Sequence, residues 1–282
     1  MKKIIQAQKN ELTEYYIYRN LAKKINNKTN AEILLKIADE EKKHEKIWSK
    51  YTNILAKPYR FKIWRYTQIS LIFGLTFGIK LMENGEKQAQ INYDEIAKYI
   101  PEAKKIEADE HDHEKELIGM IDEKILQYMG SVVLGLNDAL VELTGVLAGL
   151  TLGLQDGNLI AVVGLITGIS AAFSMAGSKY LSVKAEDGKH PVRSAIYTGI
   201  AYISTVFFLI LPYFLISNVF VALGTTLGIA ILIILIFNFY LSVAKDLNFK
   251  QRFLEMTAIS IGVALLSFGI GFAVRNIFGI EM

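Results

Sequence analysis

The chain has 282 residues, of which 52% are hydrophobic, and a mean hydropathy of +0.29, which is too apolar for an ordinary soluble protein and too aliphatic for disorder. It holds no cysteine, which excludes a disulfide framework, a thiolate zinc or iron–sulfur site and a cysteine nucleophile. The net charge of +3 mixes both signs and gives no support to nucleic-acid binding, while 4 prolines exclude a collagen-like chain.

The charges are unevenly placed. Residues 1–130 hold 43 of the 59 charged side chains and the remaining 152 residues only 16. Such a split indicates two parts in two solvents, water and lipid. The expected fold is all-α, with a four-helix bundle over residues 1–128 followed by a five-span transmembrane domain over residues 129–282. Met1-Lys2-Lys3 leads straight into a charged amphipathic helix without an apolar core and cleavage site. The first part is therefore expected to stay on the side of the membrane where it is made.

In chain order, the soluble part predicts helices over about 3–26, 30–56, 61–98 and 101–128, with breaks at Asn26–Asn30, around Pro58 and at Ile100-Pro101. Leu21, Ile25, Ile33, Leu34 and Ile37 give the 3.6-residue apolar period of bundle helices. The apolar stretch Ile69–Ile79, bracketed by Arg65 and Lys80, has 11 residues. That is short of the ~20 needed to cross a bilayer, so it is expected to be a buried bundle helix.

One pattern occurs twice in these helices. The first has Glu11 with Tyr18 seven residues on, and the third has Glu86 with Tyr93 seven residues on. The second has Glu41 and His44, and the fourth Glu110 and His113. A Glu and a His at i and i+3 lie on one helix face and can reach one point. Two such pairs, with one Glu from each of the other helices, make a carboxylate-bridged two-metal site. The expected ligands are Glu41 and Glu110 as bridges, Glu11 and Glu86 as caps, and His44 and His113 as terminal nitrogens. Residues equidistant from a hairpin turn face each other, which favours Glu86 over Glu83; Glu83 and Glu14 are reserve ligands. A single Glu-x-x-His could be only a solvated face. Here all three histidines of residues 1–128 fall in the two motif segments, with His111 expected at the surface or beside the ligands. Oxygen and imidazole donors suit two Fe(II), with Mn(II) or Zn(II) as substitutes. On these residues the segment 1–128 resembles the rubrerythrin/ferritin-like di-iron domain, and Tyr18 and Tyr93 resemble that family's positions behind the ligands.

Beyond residue 130, five apolar stretches follow at roughly 131–153, 158–181, 195–217, 219–242 and 254–278. Lys179, Lys184, Lys189 and Arg193 lie between the second and third, and Lys245, Lys250 and Arg252 between the fourth and fifth. By the positive-inside rule the N-terminal part is cytoplasmic and the C-terminus outside. Asp138 and Glu142 share a face of the first stretch, and ionisable groups at membrane depth mark a functional site by default. Met175 in the second offers a soft sulfur suited to a late first-row ion. Gly135, Gly145, Gly149, Gly164, Gly168 and Gly177 suggest close helix contacts within or between subunits.

This half resembles the vacuolar iron transporter family, through Gly-Leu-Asn-Asp-Ala-Leu at 135–140, Ser-Met-Ala at 174–176, Tyr-Leu-Ser at 180–182 and Leu-Pro-Tyr at 211–213. The resemblance implies a dimeric transporter of divalent ions coupled to protons, with Asp138 and Met175 lining the path. Two features depart from the family. Lys179 stands where a Glu usually precedes Tyr-Leu-Ser, and the Glu-rich segment between spans two and three is reduced to a short link with Glu186 and Asp187. The expected function is export of iron, or manganese, from the cytoplasm across the cell membrane by proton exchange, with no catalytic residue assigned. The rival is a membrane-anchored di-iron ferroxidase or peroxide-scavenging enzyme.

Overall fold

A computed structural model describes residues 1–89, 93–119, 128–245 and 247–278. Among the described residues there are helices and no strand, and the chain divides into two compact units, Met1–Glu123 and Lys124–Met282.

In the first unit, α1 (Lys2–Ala22) and α2 (Lys28–Thr52) form a helical hairpin. The Asn27 side chain accepts the Asn30 N–H at 3.2 Å and starts α2. Asn53, at φ 53°, ends it in the left-handed conformation that Asn tolerates. Then follow α3 (Arg60–Phe73), α4 (Leu75–Ala89), α5 (Tyr93–Ala97) and α6 (Ala103–Gly119). The continuous helix expected over 61–98 is not formed. Gly74 sits at φ 99° and ψ 149°, a conformation essentially closed to side-chain-bearing residues, and it separates α3 from α4. The stretch Ile69–Ile79 is accordingly not one buried helix: Leu71, Ile72 and Phe73 are exposed before the break, while Phe77 and Ile79 are buried after it.

The apolar side chains of this unit collect in two clusters. One holds Ile17, Leu21, Leu34, Ile37, Met82 and Leu117, and the other Ala7, Trp48, Ile96, Ile100, Ala103 and Ile106. Each of α1, α2 and α6 feeds both clusters, and the residues between its two contributions include the predicted metal ligands. The bundle is thus a polar layer held between two apolar ones. Leu34 is completely buried, so its truncation to Ala costs about 2–5 kcal/mol.

The second unit has five helices long and apolar enough to cross a membrane. They are span one (Met129–Leu154), span two (Gly157–Ala185), span three (Pro191–Leu215), span four (Val219–Lys245) and span five (Phe249–Phe278). Asp156 accepts the Leu159 N–H at 2.8 Å and caps span two, and Pro191 opens span three, where its missing N–H costs nothing. Asn218 accepts the N–H groups of Phe220 and Val221 at 3.0 and 3.2 Å, which makes the tight turn between spans three and four.

Span one is central and packs on each of the other four. Leu140, Leu143, Leu147, Tyr202 and Leu209 form the centre of this core. Two contacts are backbone to backbone: a Cβ on Gly135 would lie 2.3 Å from the Thr198 carbonyl oxygen, and one on Gly271 would lie 2.3 Å from that of Gly149. Gly177 has nothing within 4 Å in this chain. Thr144 meets Ser260 at 3.2 Å and Thr151 meets Tyr213 at 2.6 Å, so these buried hydroxyls are paired across spans.

Candidate metal centre and intramembrane carboxylates

Helix periodicity brings Glu11 of α1, Glu41 and His44 of α2 and Glu110 of α6 together. One ligand atom from each lies within 4.8 Å of all the others. The His44 Nδ1 is 3.6 Å from Glu11 Oε2, 3.7 Å from Glu41 Oε2 and 3.4 Å from Glu110 Oε1. The His113 Nδ1 is 3.2 Å from Glu41 Oε1 and 4.0 Å from Glu110 Oε2. Glu41 and Glu110 therefore each place one oxygen beside one imidazole and the other oxygen beside the second. The two rings stack with centroids 5.8 Å apart.

The outer nitrogens are held from across the helix pair. The His44 Nε2 meets Asp109 Oδ2 of α6 at 3.2 Å, and the His113 Nε2 meets Glu40 Oε2 of α2 at 2.7 Å. Carboxylates on the outer nitrogens fix the ring orientation and raise the basicity of the inner ones. Trp48 donates its Nε1–H to Glu11 Oε1 at 2.9 Å. These three partners, Asp109, Glu40 and Trp48, were not read from the sequence. Their trace is the acid immediately before each ligand Glu, in Glu40-Glu41 and Asp109-Glu110, and a Trp one helical turn after His44.

The electrostatics follow from the apolar layers. Burial, eased by the neighbouring His44 imidazole and reinforced by the Glu41 charge, pushes the Glu11 carboxyl up to about 8. Burial likewise raises Glu110. Burial opposes the charge on His113, but Glu41, Glu110 and Glu40 outweigh it and push the imidazole up to about 9. Burial also opposes the charge on His44, and Glu11, Glu110 and Glu41 hold it above its ordinary value.

The donor set fits a pair of transition-metal ions. Glu11 Oε2, both Glu41 oxygens and the Nδ1 atoms of His44 and His113 are buried without a hydrogen-bond partner. Unpaired buried acceptors are costly unless something else satisfies them.

The other predicted residues divide. Glu14 is buried on α1. Glu83 and Glu86 lie outside the described side chains. Tyr18 is buried in the apolar cluster with Leu21 and Leu34. Tyr93, half-buried at the start of α5, has its phenol raised by burial and then by the charges of Glu11, Glu110, Glu14 and Glu41.

In span one, Asp138 is half-buried and Glu142 is exposed on the surface of the single chain. The Tyr202 hydroxyl of span three donates to Glu142 Oε2 at 2.7 Å. That partner too was missed, because nothing in one span announces its neighbour in another. Met175 packs, partly buried, against the membrane core.

Residues 4–124 match the Rubrerythrin family model, and residues 129–190 match that of the VIT family. The order of the two matches is that of an N-terminal di-iron domain fused to a VIT membrane domain. A comparison with curated proteins finds no match. The five apolar helices and the VIT match support a multi-pass membrane protein, the VIT match points to metal-ion transport, and the Rubrerythrin match to a ferritin-like bundle at the N-terminal end.

Proposed function

We propose that this pairing of a rubrerythrin-type bundle with a VIT-type membrane unit exports divalent iron, or manganese, from the cytoplasm by proton exchange, as a homodimer in the cell membrane. Residues 1–128 form the cytoplasmic capture module and residues 129–282 the transport domain. The observation that carries this proposal is the Glu11/Glu41/His44/Glu110 cluster, in which Glu11 Oε2, both Glu41 oxygens and His44 Nδ1 are buried without a hydrogen-bond partner. It stands in one chain with two carboxylates on one face of a membrane span.

In the bundle, Glu41 and Glu110 would be shared between two ions, with Glu11, Glu86, His44 and His113 completing the set that would hold them. Iron held there would supply redox chemistry with oxygen or peroxide, while the carboxylates and imidazoles do the capturing. Glu40 and Asp109 orient the imidazoles, and the apolar layers exclude water.

In the membrane, the ion passes as cargo between Asp138, Glu142 and the Met175 thioether. Tyr202 keeps Glu142 oriented through its hydrogen bond, and a vacated carboxylate takes the returning proton. Charged groups at membrane depth face protein or a water-filled cavity, so the exposure of Glu142 on one chain supports a covering second copy. The basic residues of the two inter-span loops support a cytoplasmic bundle.

Fe(II) uptake into inside-out vesicles holding the full chain tests the route. Asp138→Ala is expected to reduce uptake to background; uptake equal to the parent's would show that the path lies elsewhere.

A second reading, a ferroxidase or peroxide-scavenging enzyme, is favoured by Tyr93, a half-buried phenol in the field of the ligand carboxylates. Stopped-flow absorbance after mixing the Fe(II)-loaded chain with oxygen or peroxide separates the two. Fast oxidation supports the enzyme, and stable Fe(II) supports delivery.

A further inference from the structure

The segment from Lys46 to Met82 contains 7 Lys and Arg residues and no Asp or Glu, although residues 1–130 hold 20 acids. Helix α3 lies within it and turns an apolar face outward. Phe61 is 70% exposed, Trp64 60%, Leu71 41% and Ile72 71%. At 100° per residue these four side chains share an arc of roughly 100°. Arg60 borders that arc on one side and Arg65 on the other, both exposed, while Thr67 beyond Arg60 and Ser70 on the opposite face are buried in the unit. Beside Trp64 lies a shallow pocket of ≈ 260 Å³ whose lining includes Asn20, Lys24, Arg60 and Gln68. Two cations and two amides there suit a phosphate headgroup.

We propose that this face of α3 docks on an anionic lipid surface. A Trp and other large apolar side chains bordered by Arg and Lys form the pattern of a helix lying in the headgroup layer. A basic face without acids is complementary to anionic lipid. A two-fold contact through this face would offer Arg60, Lys62 and Arg65 only the cations of a second copy, which like-charge repulsion disfavours. The chain carries five membrane spans of its own, so a bilayer is always within its reach.

Tryptophan fluorescence tests the proposal, because the chain has 2 tryptophans and Trp48 is fully buried. The full chain is reconstituted in vesicles with brominated acyl chains, of phosphatidylcholine alone or mixed with phosphatidylglycerol. Subtracting the emission of Trp64→Phe isolates the Trp64 signal. In the anionic vesicles Trp64 should shift to the blue and lose about half of its emission. High salt, or Arg60→Glu with Lys62→Glu and Arg65→Glu, should restore it. Unchanged Trp48 emission in that triple variant shows that the bundle core is intact. Quenching of Trp64 by aqueous iodide with no response to brominated chains overturns the proposal. Protection that persists in lipid-free detergent also overturns it and assigns the face to a second copy.

Discussion

Glu40 and Asp109 each hold an imidazole that belongs to the other helix. Both carboxylates are partly exposed, so Glu40→Gln with Asp109→Asn should leave the fold intact while lowering metal affinity about 10- to 100-fold. Competition with a chromophoric chelator reads that loss, and circular dichroism checks the fold. The same residues set a pH dependence. In the metal-free protein Glu11 is pushed up to about 8 and His113 up to about 9. The folded state then holds protons that the unfolded chain releases earlier. The stability these groups contribute is complete below their ordinary values of 4.5 and 6.5, and is lost as pH rises through about 8 and about 9. The unfolding temperature of chelator-treated protein should therefore fall across that window. The stabilisation gained on adding Mn(II) should grow over the same range, because protons no longer compete for the ligands. A midpoint that rises with pH in the chelated protein would contradict the assigned environments.

At the scale of elements, two glycine contacts do what no side chain could. A methyl group on Gly271 would meet the Gly149 carbonyl oxygen at 2.3 Å. Gly271→Ala must therefore push span five away from span one. The expected outcome is normal insertion with at least a several-fold loss of transport, read by uptake at matched protein levels. Much of this architecture was legible beforehand, because apolar length announces a span and a Glu and His at i and i+3 share a face whatever surrounds them. The break at Gly74 was not legible, since a glycine inside an apolar run is also compatible with a helix and its φ is set by packing. The inward roles of Glu40 and Asp109 were hidden for a related reason. Acids crowd both motif segments, and which of them turns inward depends on the rotation of α2 and α6 against each other. The hydrogen bond from Tyr202 to Glu142 needed the pairing of spans one and three, which composition does not specify.

At the scale of the whole molecule, capture and passage are assigned to separate units and should separate kinetically. Glu41→Ala with Glu110→Ala should raise the iron concentration needed for half-maximal uptake and leave the maximal rate nearly unchanged, as measured in vesicles over a range of Fe(II) concentrations. The polar layer of the bundle has a further consequence for such measurements. Its carboxyl and imidazole groups hold protons until an ion displaces them. The first filling of the protein should then acidify the medium on the bundle's side in a single rapid burst whose size counts loaded bundles. Steady turnover returns each proton as the ion moves on, so the burst is invisible in the exchange ratio and shows only in the first moments after mixing.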